Sequence, residues 1–358
     1  MNSCTHPLRQ IYFYLTQGCN LACRHCWLAP NFDPGANRYP VLPVELFEAA
    51  IREARPMGLN GVKLTGGEPL MHPDIVHLLE IVRREELGLN VETNGVLCTA
   101  QLAAEIAKSE NPFVSVSLDG ADAATHEWVR GVSRSFEQAL QGIRNLVDSG
   151  IRPQIVMSLM RINAGQVETM VRMAESLGAD SVKFNIIQPS GRAEQIKDSQ
   201  NMLEVGDLIA LGRRVEMELA PSTELRLFFD YPMVFRPLSR IAERDGCGVC
   251  GILEILGVIP SGHYALCGIG EHVPELVFGS VGNDRLEEVW NTHPFLKDLR
   301  QGLPDRLEGV CARCLMKHHC LGSCVAQNYY ATGSFWAPFW FCSRAEAAGL
   351  FPPTRHAP

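Results

Sequence analysis

Ile11-Tyr-Phe-Tyr-Leu-Thr16 runs without a break into Gln17-Gly-Cys-Asn-Leu-Ala-Cys-Arg-His-Cys26. The first six residues are mostly aromatic and β-branched, the composition of a strand. The next ten place Cys19, Cys23 and Cys26 in the spacing C-x3-C-x2-C. A strand that empties into a short cysteine loop presents its thiols at a strand end. That is where the βα loops of a barrel gather around a site.

Outward from this junction the chain alternates two periods. Apolar Leu46, Phe47, Ala50, Ile51 and Ala54 predict a helix around Val44–Arg55. Gly61–Thr65 reads as a second strand, and Pro73 opens a helix to about Glu86, where its missing N–H costs nothing. Leu89–Thr93, Phe113–Leu118, Gln154–Leu159 and Ser181–Ile187 read as strands three to six. Ala100–Ser109, Phe136–Asp148 and Val167–Leu177 read as the helices between them. Six βα units in a row demand parallel strands and right-handed crossovers. A full eight-unit barrel needs about 250 residues, and here the alternation fades near residue 190. The sequence therefore predicts an α/β fold, a partial (β/α)6 TIM-like barrel, over residues 10–195 after a short tail at 1–9. Residues 196–245 read as a bridge with a helical stretch near Met202–Leu219. Beyond Cys247 glycine and cysteine rise and periodicity is lost, so ligation rather than an apolar core should hold that segment together.

Composition narrows the function classes. Of 358 residues, 46% are apolar and 20% charged, enough for a sizeable core. The net charge of −8 argues against a nucleic-acid partner. No run approaches 18 apolar residues, so no membrane helix is expected, and the N-terminus lacks the apolar region of a signal peptide. Thirteen cysteines in such a chain point to metal ligation in a cytoplasmic setting rather than to disulfides.

Three thiolates on one loop can hold three irons of a 4Fe–4S cluster and leave the fourth open to chemistry. The alternative is a zinc site completed by His25 or a distant residue, although the spacing departs from common zinc pairs. The loop closely resembles the signature of the radical S-adenosylmethionine (SAM) superfamily. In that family the open iron chelates the amine and carboxylate of SAM. Reductive cleavage then yields a 5′-deoxyadenosyl radical that abstracts hydrogen from a substrate.

Other motifs share the resemblance. Thr65-Gly-Gly-Glu-Pro69 closes strand two and resembles the motif that contacts the SAM amino group, with Gly66 and Gly67 allowing close approach and Glu68 accepting from the ammonium. Glu92-Thr-Asn-Gly95 ends strand three, with Asn94 or Thr93 facing the pocket. Ser117-Leu-Asp-Gly120 closes strand four, and Arg130 follows. The resemblance implies that Ser117 and Arg130 serve SAM, the arginine as a carboxylate partner. His25 matches a position beside the adenine, or is a solvated loop histidine. Pro189-Ser-Gly-Arg192 resembles a further feature of the subgroup.

Cys247, Cys250, Cys267, Cys311, Cys314, Cys320, Cys324 and Cys342 are the count for two fully ligated 4Fe–4S clusters, or for two zinc sites of four cysteines each. Their pattern resembles the SPASM extension of radical SAM peptide and protein maturases. It implies a SPASM domain over 246–345 and a tail over 346–358. It also implies one auxiliary cluster on Cys247, Cys250, Cys267 and Cys324, and a second on Cys311, Cys314, Cys320 and Cys342. Cys4 and Cys98 fit neither set. Cys98, after the Glu92–Gly95 turn, is a candidate hydrogen-atom donor at the pocket mouth, or a half-buried filler.

The expected activity is modification of a ribosomally made precursor peptide, with an auxiliary cluster taking the second electron and a carbon–carbon or thioether crosslink formed. The resemblance also implies a flavodoxin- or ferredoxin-type electron donor. Only about ten residues precede the first strand, too few for a leader-binding domain. A separate leader-recognition protein, or the barrel and SPASM surfaces, would then bind the peptide. Alternatives are a peptide epimerase, a haem-precursor side-chain enzyme, a sulfatase formylglycine maturase and a non-enzymatic electron carrier or zinc scaffold. The formylglycine reading expects an Asp just past Cys267, where this chain has Gly268-Ile-Gly-Glu271, and a carrier has no need of an open iron.

Overall fold

The computed structural model describes residues 6–33, 35, 39–196, 200–242 and 250–357. Strands β1 (Gln10–Tyr14), β2 (Gly61–Thr65), β3 (Gly88–Thr93), β4 (Phe113–Ser117), β5 (Gln154–Leu159) and β6 (Ser181–Ile186) pair in parallel, in sequence order. Helices α1 (Val44–Ala54), α2 (Ile75–Arg84), α3 (Ala100–Ala107), α4 (Ala123–Arg130), α5 (Ser135–Asp148) and α6 (Val167–Ser176) lie between them.

The parallel sheet is larger than the six strands expected. β7 (Arg226–Phe229) pairs with β6 beyond a helix at Val205–Arg214, and β8 (Ile255–Val258) pairs in parallel with β1 on the other side. Antiparallel β9 (His263–Ala265) and β10 (Val277–Ser280) follow, giving ten strands in the order β10-β9-β8-β1-β2-β3-β4-β5-β6-β7. The cysteine-rich segment is thus built into the sheet of the first six units.

That segment is also more regular than its sequence suggests. Helices cover Leu286–Thr292, Pro294–Gly302, Val325–Thr332 and Trp340–Ala347. Trp290, Leu296, Leu299, Phe335 and Phe341 are buried in the same apolar core as the strands. Short amphipathic helices separated by turns supply this packing, so apolar burial as well as ligation holds the segment. The Trp290 indole donates to the His6 carbonyl at 2.7 Å, and Glu53 of α1 accepts from the Leu286 backbone at 2.8 Å.

The six strands alternate strictly. Ile11, Phe13, Val62, Leu64, Val91, Val116, Ile155, Val182 and Phe184 sit in the core. Their neighbours Tyr12, Lys63, Glu92, Ser115, Gln154 and Lys183 face a shared cavity. Parallel strands are ordinarily apolar on both faces. Here one face is polar, and residues from β1 to β6 converge on one space, so the sheet curves around a cavity.

Candidate active site

That cavity measures about 490 Å³ and opens where the strands end. Cys19, Cys23 and Cys26 line it, in the loop after β1. Backbone bonds from Cys19 N to Asn31 O and from Asn31 N to Gln17 O, both 2.9 Å, fold the loop back on itself. The loop then packs against the end of α4: Ala22 N donates to Arg130 O at 3.1 Å and Arg24 N to Val129 O at 2.9 Å. Gly131 sits at φ +74°, and a Cβ there would lie 2.7 Å from the Ala22 carbonyl. Cys19 and Cys23 are buried, and burial pushes both thiols up.

The other positions expected from sequence, His25, Gly66, Gly67, Glu68, Asn94, Ser117 and Arg130, line the same cavity. Gly66 adopts φ +120°, and a Cβ on Gly67 would stand 1.9 Å from the Gly18 carbonyl. These glycines let β2 meet the cysteine loop. Glu68 is fully enclosed. Its Oε1 accepts from Thr93 Oγ1 at 2.7 Å and Leu70 N at 3.1 Å, and its Oε2 from Asn94 N at 2.8 Å. It thereby fixes the turn after β3, and burial raises its pKa. Asn94 Nδ2 reaches Asn20 Oδ1 at 2.7 Å and the Cys19 sulfur at 3.8 Å.

Arg130 commits its two terminal nitrogens to the chain itself. It pairs with Asp119 at 2.7 Å and donates to the Cys23 sulfur at 3.5 Å. Burial alone would raise Asp119, but Arg130 and His25 outweigh it and hold the carboxyl below its usual range. Asp119 Oδ1 also accepts from Ser158 N at 2.7 Å, tying β4 to β5. His25 Nε2 lies 3.6 Å from Asp119, yet burial lowers the imidazole to about 4, so it is neutral near pH 7.

Two residues whose roles the sequence left open hold this arrangement. Asp119 lies inside the Ser117–Gly120 motif. Arg192, in Pro189-Ser-Gly-Arg192, clamps the cysteine loop from the β6 side. Its Nε donates to Cys23 O at 2.9 Å, a terminal nitrogen to Pro30 O at 2.8 Å, and its backbone N to Cys26 O at 2.9 Å. Cys98, by contrast, is absent from the cavity lining. It is buried against Gly142 of α5, so the hydrogen-donor expectation has no geometric support.

A second cavity, about 440 Å³, shares Tyr12, His25, Trp27, Lys63, Lys183 and Asn185 with the first. The two form one continuous space whose far end carries Cys250 and Cys324. The Cys267 thiol lies within electrostatic reach of both. Cys247, expected beside them, lies outside the described residues, as does Cys4. Cys311, Cys314, Cys320 and Cys342 converge on an apolar void of about 20 Å³, and Cys320 also lines the second cavity. Among the described residues no three His, Cys, Asp or Glu side chains are arranged to hold a single metal ion.

The residues fit an iron–sulfur cluster with an anionic co-ligand. The donor set is soft, the Gly66–Gly67 cradle excludes side chains, and Arg130 Nε and Arg192 Nη2 are buried with no protein acceptor among the described residues. Past Cys267, a Cβ on Gly268 would stand 2.4 Å from the Tyr14 ring. The Asp expected of a formylglycine maturase therefore has no room here.

Comparison with known proteins gives the same outline. The radical SAM superfamily model matches residues 13–176, and the SPASM iron–sulfur cluster-binding domain model matches residues 247–315. The chain is 28% identical over 353 residues to the mycofactocin maturase MftC of Mycobacterium ulcerans, covering 96% of this chain and 90% of that protein. It is 26% identical over 363 residues to the AdoMet-dependent heme synthase of Oleidesulfovibrio alaskensis, covering 94% and 87%. A crystal structure of Streptococcus suis SuiB bound to precursor peptide SuiA superposes with a TM-score of 0.75 at 19% identity, over 94% of this chain and 76% of that one.

Proposed function

We propose that this chain, which belongs to the radical SAM superfamily and carries a SPASM domain, is a maturase that oxidises a ribosomally made peptide to a crosslinked product. The observation that carries the reading is the continuous space between the Cys19/Cys23/Cys26 loop and Cys250/Cys324. A substrate there faces a radical generator at one end and a cluster-binding group at the other. A net oxidation needs both, because its second electron must leave. The relation to a mycofactocin maturase over 96% of the chain supports a peptide as substrate.

In this reading Cys19, Cys23 and Cys26 hold the catalytic 4Fe–4S cluster. Cys247, Cys250, Cys267 and Cys324 hold one auxiliary cluster, and Cys311, Cys314, Cys320 and Cys342 the other. SAM held at the first cluster would supply the hydrogen-abstracting radical chemistry. The chain's own groups prepare that site. Arg192 and α4 fix the loop from two sides, Asn94 and Arg130 donate to thiolate sulfurs, and Glu68 shapes the β3 turn against it. Arg130 Nε and Arg192 Nη2 remain to receive the SAM carboxylate, with Ser117 beside them on the wall. His25, neutral by burial, adds no charge beside the adenine.

We place the protein in the cytoplasm, where its many thiols stay reduced. No helix among the described residues is long and apolar enough to cross a membrane. A flavodoxin- or ferredoxin-type protein would supply the first electron, and a separate leader-recognition protein is the natural partner for the peptide. Co-expression with small open reading frames beside the gene, followed by mass spectrometry, tests the reading. A peptide lighter by two hydrogens supports it. Solvent deuterium uptake without other change would point to epimerisation. Loss of carbon dioxide from a porphyrinoid would replace it with the haem-precursor reading, to which the heme synthase relatives also point.

A further inference from the structure

The seam between the two cavities carries charge that the radical-generating machinery does not use. Lys63 of β2 and Lys183 of β6 both line it, from different strands of the curved sheet. Lys63 is already satisfied: its ammonium lies 2.7 Å from Glu92 and 4.3 Å over the Tyr12 ring. Lys183 is held more loosely: its ion pair with Asp230 spans 3.8 Å, beyond hydrogen-bond length, and leaves its donors open to a closer acceptor.

Two residues further along the same face of β6 stands Asn185. Its Oδ1 is buried and has no hydrogen-bond partner among the described residues. An enclosed acceptor without a donor is costly and calls for a ligand that brings one. Positions two apart on a strand lie about 6.6 Å apart. The pair therefore asks for a ligand with an anion and a hydrogen-bond donor at short spacing. A peptide meets both demands, through a carboxylate and a neighbouring backbone N–H.

We propose that Lys183 and Asn185, with Lys63 on the facing wall, form a carboxylate-binding subsite that anchors the substrate between the Cys19/Cys23/Cys26 loop and Cys250. Lys183 takes the carboxylate and Asn185 Oδ1 takes a backbone N–H. This rests on the peptide reading above. The carboxylate is either the peptide's C-terminus or an acidic side chain near the modified residue.

The test uses anaerobically reconstituted enzyme and the precursor peptide identified by the co-expression above, labelled for fluorescence anisotropy. Three forms are compared: the parent, its C-terminal amide, and a form with Asp and Glu replaced by Asn and Gln. Wild type should bind one neutralised form about tenfold more weakly than the parent, the value of one charge-assisted hydrogen bond. Lys183→Met should bind the parent that weakly and no longer discriminate, whereas Lys183→Arg should still discriminate. Weakening by the amide assigns the C-terminus, and weakening by the second substitution set assigns an acidic side chain. Iron content equal to wild type shows that each variant is folded. Undiminished discrimination by Lys183→Met overturns the subsite. If no form of the peptide binds wild type, the peptide reading fails instead, and coproporphyrin III is titrated. Binding lost in Lys183→Met then keeps the carboxylate subsite with a tetrapyrrole as its ligand, and equal binding overturns it.

Discussion

Replacing Arg130 with Met isolates the ion pair that braces the cysteine loop. Asp119 is 0% exposed and its side chain meets the guanidinium at 2.7 Å. Removing one partner of a buried pair costs about 3–5 kcal/mol, because the other charge is left uncompensated. Unfolding entropy of about 2.1 cal/mol/K per residue, over 358 residues, gives about 0.75 kcal/mol/K. The expected fall in melting temperature is therefore about 4–7 °C at neutral pH. The deficit should also depend on pH. In wild type Asp119 titrates below its usual range, so its pair is fully formed above the unfolded carboxyl pKa. Without Arg130, burial raises the same carboxyl above that value. As the pH falls through the raised pKa, Asp119 takes up a proton and the penalty disappears. Anaerobic thermal scans of the holoprotein between about pH 8 and pH 5.5 should show the two proteins converging toward acid. Asp119→Asn placed on top of Arg130→Met should restore most of the loss by removing the stranded charge. A double variant no more stable than Arg130→Met, with a deficit flat across pH, would refute the electrostatic account and leave disturbance of Cys23 as the cause.

Four further outcomes are expected. Replacing Cys19, Cys23 and Cys26 together with Ala should lower reconstituted iron from about twelve to about eight per chain and abolish deoxyadenosine formation; retained SAM cleavage contradicts the catalytic assignment. Cys320→Ala should destabilise a different cluster, with iron falling toward about eight while SAM binding persists. Gly67→Ala, whose Cβ would stand 1.9 Å from the Gly18 carbonyl, should displace the loop and reduce the SAM-induced change in the electron paramagnetic resonance spectrum. Arg192→Ala should hasten bleaching of the iron–sulfur absorbance in air, since it frees the carbonyls of Cys23 and Pro30, with Lys restoring part of the resistance.

Much of this was legible in the sequence because the βα units are long and their periods clean. β2, β3, β5 and β6 each hold at least five residues between helices of ten or so, and they emerge close to the expected bounds. β7 escaped because Arg226-Leu-Phe-Phe229 is four residues long, too short for a two-residue period to show. Ile255-Leu-Gly-Val258 is buried at every position, so it offers no alternation either. One available signal went unread. Lys63, Glu92, Ser115, Gln154 and Lys183 stand at inward positions of parallel strands, where apolar residues are usual, and together they announce a cavity. Of the two readings of Cys98, the structure places the thiol as the buried filler, for a local reason. Its N–H bonds back to Gly95 O at 3.1 Å, and that turn carries the side chain toward α5 rather than the pocket.

The placement of β8 explains how two distant cysteine groups come to serve one space. β1 delivers the cysteine loop from its C-terminal end and pairs with β2 on one side and β8 on the other. The first pairing brings Gly66–Glu68 to the loop. The second, through the β8–β9 hairpin, brings Cys267 beside Tyr14. The register of a single strand therefore sets both approaches, and a side chain at position 268 would strike the Tyr14 ring of that strand. A glycine there is what lets the second cysteine group close on β1. The same contact removes the acidic side chain that formylglycine chemistry would need. The cavity between the two cysteine groups is shaped by how tightly they are drawn together, and Lys63, Lys183 and Asn185 line the seam where its two parts meet.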